Sequence, residues 1–269
     1  MTALSRCQAV HTAVRRYLPE RYMEISEIGA RLPKAPYSES HRAQELVPRY
    51  GYLRNLKDEI ERLDSDDLPS EAELLEHLRA EAITVPTNMA IKTEVERAAL
   101  VDERERTVTA IGDIAGSDLS AVEALPYQRT LPEQEALSWS NAVADRWLDG
   151  GADWWMPFSR ARNEPRDDTL ILREHVFFED AAVELRRVLL AADETRVIAI
   201  REWGVSREHG SDSLEPVYGD GGEALFTSGD ASWLLHASHE DMYTLVGWVV
   251  PALKASWPEW PSAVWSEAT

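Results

Sequence analysis

His236, His239 and Glu240, in the run His-Ala-Ser-His-Glu, are the side chains of this 269-residue chain best suited to reaction chemistry. Imidazoles and carboxylates hold metals and move protons, but only when they converge on one point. On a strand, positions three apart face opposite sides, so both rings meet one ion only where the strand ends between them. The helical zinc-protease spacings, His-Glu-x-x-His and His-x-x-Glu-His, do not occur here. A third ligand would have to be Glu202 or Asp241. The run therefore reads as a strand end hydrogen-bonded to its own turn, with no metal and no cofactor expected.

Other chemistry-bearing residues weaken in the same way. Glu202, Trp203 and Gly204 follow the apolar run 197–200, and binding groups collect just past the ends of buried strands. Glu202 is expected either in an ion pair with Arg173 or in a recognition patch. Cys7 and His11 lie four apart on one side of a helix, as a nucleophile and its base would. Cys7 also shares an apolar stripe with Val10 and Val14, which makes it a core residue. The run Gly219-Asp220-Gly221-Gly222-Glu223-Ala224 outlines a dinucleotide loop. However, Asp220 and Glu223 would repel a pyrophosphate, and no helix pattern follows. It reads as a hairpin turn. No Gly-x-Ser-x-Gly elbow and no Walker loop is present, and no catalytic residue is assigned.

The elements that must position these groups fall into two halves. All ten Trp and all four Phe lie after residue 138, so the first half must build its core from aliphatic residues and a few Tyr. We expect a helical domain over 1–125 and a Trp-rich α+β domain over 126–269. In the first, Leu4, Cys7, Val10, Val14 and Leu18 predict a helix stopping before Pro19. Leu53, Leu56, Ile60 and Leu63 predict a second helix. Ser70 with Glu73 fits a capping box that opens a third. A fourth, capped by Thr87 or Asn88, runs to about Gly116. Together they suggest a helical bundle.

In the second half, a capping box of Thr130 and Glu133 opens a helix through Trp139, Val143 and Trp147, ended by Gly150 and Gly151. Strands are expected at 170–172 and 176–178, then a helix over 181–191 capped by Asp180, then a strand at 197–200. That order suggests a βαβ unit, with a longer meander as the alternative. Further strands are expected at 216–218, 224–227, 233–237 and 243–246, and a last helix from Gly247. The class is α+β: a helical N-terminal bundle, then a domain with a mixed sheet and flanking helices.

Charge narrows the partners. With 28 Lys+Arg against 48 Asp+Glu the chain carries −20, which disfavours nucleic acid and anionic membrane and favours a basic protein. Residues 126–269 hold 25 acids and 12 bases, against 23 and 16 in residues 1–125. A single cysteine, Cys7, permits no intrachain disulfide, and neither a leader nor a run of eighteen apolar residues is evident. A cytoplasmic setting is expected, with a homodimer through the helical domain as one option. Among the tryptophans, Trp203 and Trp260 are expected at the binding surface beside Glu202, His236, His239 and Glu240.

Three runs carry a resemblance: Phe226-Thr-Ser-Gly-Asp230, Trp233-Leu-Leu-His-Ala-Ser-His-Glu240, and the tail from Val249 through Trp257-Pro-Glu-Trp260. Over about residues 127–269 the chain resembles small uncharacterised bacterial proteins of immunity or defence-neighbourhood type. That resemblance implies a cytoplasmic α+β domain used for binding, and brings no catalytic residues with it. The function expected is an acidic protein-binding module, most specifically an immunity or antitoxin-like inhibitor of a basic toxin or effector. The alternative is an enzyme of unrecognised class, with its site at Glu202, His236, His239 and Glu240. A concave site would favour the enzyme, and a convex acidic face with an exposed Trp the binder.

Overall fold

The computed structural model describes residues 4–33, 36–37, 40–148, 156–164, 166–216 and 222–265. The chain divides into two compact units, Met1–Leu125 and Pro126–Thr269. In the first, α1 (Arg6–Ala30), α2 (His41–Ile60), α3 (Glu71–Thr84) and α4 (Glu94–Gly116) follow one another. α1, α3 and α4 each open on a closed capping box: Ser5 with Gln8, Ser70 with Glu73, and Thr93 with Glu96. The cap of α4 is thus Thr93 rather than Thr87 or Asn88. Only Thr93 has an acid three residues on, and the Glu96 carboxylate also accepts from the Lys92 amide and the Tyr37 hydroxyl, both at 2.6 Å. The Tyr37 bond leads in pulling the Glu96 pKa down to about 2.

α1 does not stop before Pro19 but runs eleven residues beyond it. Pro19 sits on the exposed side, so water can take the carbonyl its ring leaves unpaired, while Leu18 and Ile25 stay buried. The core joins Val10, Val14, Leu18, Leu53, Leu56, Ile60, Leu74, Leu78 and Ile111, with no aromatic larger than Tyr52. Cys7 packs half-buried against this core. The fully buried His11 ring places Nε2 3.1 Å from the Ile60 carbonyl oxygen. Glu103, also fully buried, accepts from Arg21 at 2.7 and 2.8 Å and from Arg49 at 2.7 Å. Burial alone would raise the Glu103 pKa, but the two guanidiniums hold it below the ordinary carboxylate range.

The second unit is α+β. Its strands are β1 (Gln128–Thr130), β2 (Thr169–Arg173), β3 (Arg196–Arg201), β4 (Arg207–Gly210), β5 (Ala224–Thr227), β6 (Trp233–Ser238) and β7 (Met242–Gly247). They form one sheet in the order β1-β4-β3-β5-β6-β7-β2. Every pairing is antiparallel, where a mixed sheet was expected. β2 and β3 do run the same way, but β5, β6 and β7 lie between them, so they form no adjacent βαβ pair. The connection between them crosses the sheet face instead.

Helices cover both faces. α5 (Glu133–Trp147) lies over Ile198, Ile200, Leu225 and Leu234, and α6 (Met156–Asn163) packs Phe158 and Ala161 on Ile171 and Met242. On the other face, α8 (Ala182–Ala191) and α9 (Val249–Ser256) cover Val197, Ala199, Phe226, Leu235 and Leu245. This double cover explains the continuous apolar runs of the central strands.

The run at 176–178 is helical, not extended: α7 (Glu174–Val176) passes into a π-helical turn, Phe177–Ala181. There the Phe177 ring stacks on Tyr243 at 4.1 Å. Asp180 lies inside that turn and caps nothing, while α8 begins after Ala181 without a side-chain cap. Thr130 is paired to Arg207 in the sheet rather than capping α5, whose N-cap is Pro132. Pro216 lies in no strand, and residues 217–218 fall outside the described ones, as do Gly150, Gly151, Trp154, Trp155 and the run 219–221. The tail closes the sheet edge. Val264 bridges to Leu172 beside β2, the Trp265 amide donates to the Ile171 carbonyl at 2.9 Å, and α10 (Trp260–Ala263) leads into this contact. No helix of the described residues is long and apolar enough to cross a membrane.

Burial lowers the His11 pKa from 6.5 to about 4. The unfolded chain therefore takes up a proton that the fold refuses. The helical unit should hold its full stability above about pH 6.5 and lose on the order of 3 kcal/mol of it as pH falls to about 4. His11→Gln should flatten that slope in urea titrations. Residues 1–125 contain no Trp, so the part of the helical circular dichroism change that Trp fluorescence does not share belongs to the helical unit.

Candidate functional site

The antiparallel registers bring five strand ends to one end of the sheet. Arg201 pairs Ala224, Ala224 pairs Ala237, Ser238 pairs Met242, and Met242 pairs Arg173. One step beyond that line stand Glu202, Glu223, His239, Asp241 and Glu174. Alternation along β5 and β6 puts Glu223, Leu225, His236 and Ser238 on one face.

Glu223 is the centre of this group. Its side chain is 3% exposed, with Oε2 2.7 Å from His236 Nε2 and Oε1 2.6 Å from His239 Nδ1. The Ser238 hydroxyl lies 3.5 Å from Oε1. Burial works to raise the Glu223 pKa, but the hydrogen bonds and charge of His236 and His239 outweigh it and hold the carboxyl below its ordinary value. An ionised carboxylate only accepts, so both ring nitrogens facing it carry hydrogen. Two histidines three apart can share one carboxylate because β6 ends at Ser238. His239, Glu240 and Asp241 form the turn to β7, with Asp241 in the left-handed region at φ 56°.

Backbone bonds join Glu223 to the end of β3. The Glu202 amide donates to the Glu223 carbonyl at 3.0 Å, and the Glu223 amide donates to Glu202 Oε2 at 3.3 Å. Gly222 has φ +72°, and a Cβ there would stand 2.4 Å from Trp203 Cδ1 and 2.8 Å from Glu202 Oε2. The Trp203 indole therefore rests on bare backbone, yet remains 66% exposed. Around it the end of the sheet is acidic. Glu240 and His239 are about half exposed, 3.4 Å apart, and the Glu174 amide donates to the Asp241 carbonyl at 2.9 Å. Burial, then the nearby Asp241 carboxylate, raises the Glu174 pKa.

Of the expected site residues, Glu202, Trp203, His236, His239 and Glu240 come together, and Glu223 is what joins them. Trp260 does not belong: it packs on the core of the opposite sheet face, under the Lys254 ammonium at 5.0 Å. The Glu202–Arg173 pair does not form. Arg173 lies on β2, with three strands between it and β3, and hydrogen-bonds the Ser262 carbonyl.

His239 against Glu223 repeats the base-and-orienter half of a catalytic triad. No cleft holds it. The two clefts that stand out among the described residues lie elsewhere: one beside Trp147, Arg160, Leu234 and Val246, the other between α1 and α4. Among the described residues no three His, Cys, Asp or Glu side chains are arranged to hold a metal ion. No protein-family model, curated protein or solved structure matches the chain.

Glu223→Gln presents an amide where two N–H groups need acceptors, and should cost about 2 kcal/mol of stability. Trp203→Ala, at an exposed position, should cost less than about 0.5 kcal/mol. Urea unfolding followed by Trp fluorescence reads the second unit alone, and equal losses for the two variants would refute this division of roles.

Proposed function

We propose that this chain is an acidic protein-binding module whose docking surface is the end of the sheet around Trp203. The observation that carries this is an indole 66% exposed, seated on Gly222 and flanked by Glu202. A large aromatic costs little rotamer entropy to immobilise, which suits an interface anchor. The carboxylates of Glu202, Glu240 and Asp241, together with the −20 of the whole chain, favour a basic partner and steer it in.

Three considerations favour binding over catalysis. The His239–Glu223 pair lies outside both clefts that stand out among the described residues, the side chains hold a surface in shape, and the quoted runs resemble immunity-type proteins. The finer reading is an immunity or antitoxin-like inhibitor that covers a basic toxin or effector. A reducing, cytoplasmic setting suits its single cysteine.

The products of neighbouring genes provide the natural test. A basic toxin among them should bind this chain, and co-expression should neutralise it. Trp203→Ala should weaken that complex at least about tenfold. Raising salt from about 0.05 to about 0.5 M should slow association markedly. A complex indifferent to both changes would overturn the assignment.

A further inference from the structure

We propose that Trp203 and Glu202 form a seat for one arginine side chain of the basic partner. The guanidinium lies over the indole and donates to the carboxylate beside it. The seat rests on the docking reading for its occupant, and names what that occupant must offer. Trp203 is the one exposed tryptophan among the described residues. Gly222 brings Glu202 to its edge. A Cβ on Gly222 would stand 2.4 Å from Trp203 Cδ1 and 2.8 Å from Glu202 Oε2, so ring edge and carboxylate flank one point over bare backbone. Glu202 Oε2 accepts the Glu223 amide at 3.3 Å, which holds the carboxylate in place, and among the described residues no donor meets Oε1.

Elsewhere the chain covers its rings with its own cations. The Arg196 guanidinium lies 3.5 Å from the centre of the Tyr127 ring, and the Lys254 ammonium 5.0 Å from that of Trp260. Arg146 stands 5.5 Å from the centre of the Trp147 ring. Trp147 and Trp260 are both less exposed than Trp203. Yet among the described residues no Lys or Arg lies over Trp203 or pairs with Glu202. Arg201, next to Glu202 in the chain, turns to the opposite sheet face, over the Phe226 ring at 5.7 Å. The most exposed indole thus has its carboxylate in place and no cation of its own.

The pairing of ring and carboxylate selects arginine over lysine. A guanidinium laid flat on an indole keeps its N–H groups in its own plane, directed sideways to an acceptor at the ring edge. An ammonium must divide its three N–H groups between ring and carboxylate, and gives up a tighter hydration shell to do so. Glu240 and Asp241 on the neighbouring turn attract either cation, so they favour positive charge without choosing its type.

Two short Gly- and Ser-rich peptides of equal charge test the seat on the full chain. They differ at one position, arginine in one and lysine in the other. Nuclear magnetic resonance reads both affinity and place through the Trp203 indole N–H, identified by its loss in Trp203→Leu. The arginine peptide should move that resonance and bind about three- to tenfold more tightly than the lysine peptide. Trp203→Leu keeps apolar area without a ring, and Glu202→Gln keeps an acceptor for the Glu223 amide. Each should weaken the arginine peptide at least about threefold and erase most of the preference. Equal affinities for the two peptides in the parent chain, an unmoved Trp203 resonance, or arginine binding untouched by Glu202→Gln would overturn the seat.

A natural basic partner separates the seat from the docking reading. A complex that needs Trp203 but tolerates lysine for each contacting arginine would leave the reading standing and sink the seat. A complex that ignores Trp203, while the arginine peptide still binds there, would sink the docking surface and leave the seat.

Discussion

A carboxylate 3% exposed must be met by donors wherever it sits, and Glu223 makes the architecture around it follow from that requirement. Its oxygens take one histidine from the end of β6 and one from the turn beyond. This works only if β5 and β6 are in register and β6 stops at Ser238. Its peptide group ties back to Glu202, which fixes the end of β3. Gly222 must then lie flat beneath Trp203, since any side chain would strike the indole. The exposed tryptophan is thus the outward consequence of a charge buried one residue further along the chain.

The helical unit solves the same problem with different donors. Glu103 is as deeply buried, and three charge-assisted bonds from Arg21 and Arg49 fasten α1 and α2 to α4. Guanidiniums stay charged at any pH a cell meets, so this staple does not respond to protons. The two units use one structural device, a buried glutamate met from two sides by basic groups, with arginines in one and histidines in the other.

The sequence showed clearly whatever depends on neighbours along the chain. The Ser70–Glu73 box, the periodic core of Leu53, Leu56 and Ile60, and the α+β class are local signals, and the structure has them. Partner choice in the sheet is not local: nothing near 170–172 says that β2 lies beside β7 rather than near β3. β1 and β4 escaped notice because Gln-Arg-Thr and Arg-Glu-His-Gly carry no apolar alternation; their edge of the sheet is held by polar pairs such as Arg129 with Glu208 at 2.9 Å. Glu223 was visible only as an acid that spoils a phosphate loop. Its partners lie 13 and 16 residues on, and only the β5–β6 register reveals that Ser238 and His236 share its face.

The same geometry weighs on the choice between reaction and recognition. A general base must offer its free nitrogen to substrate at hydrogen-bonding distance, in a space that excludes water. His239 Nε2 instead faces Glu240 Oε1 at 3.4 Å, on a half-exposed three-residue turn. The other ring, His236, is properly shielded from water, but it is sealed in the core where no substrate can approach. Access and shielding fall on different histidines, and a reaction centre needs both on one. What the pair does well together is neutralise Glu223 and hold the rim of the sheet rigid around an exposed indole, which is the demand that docking makes.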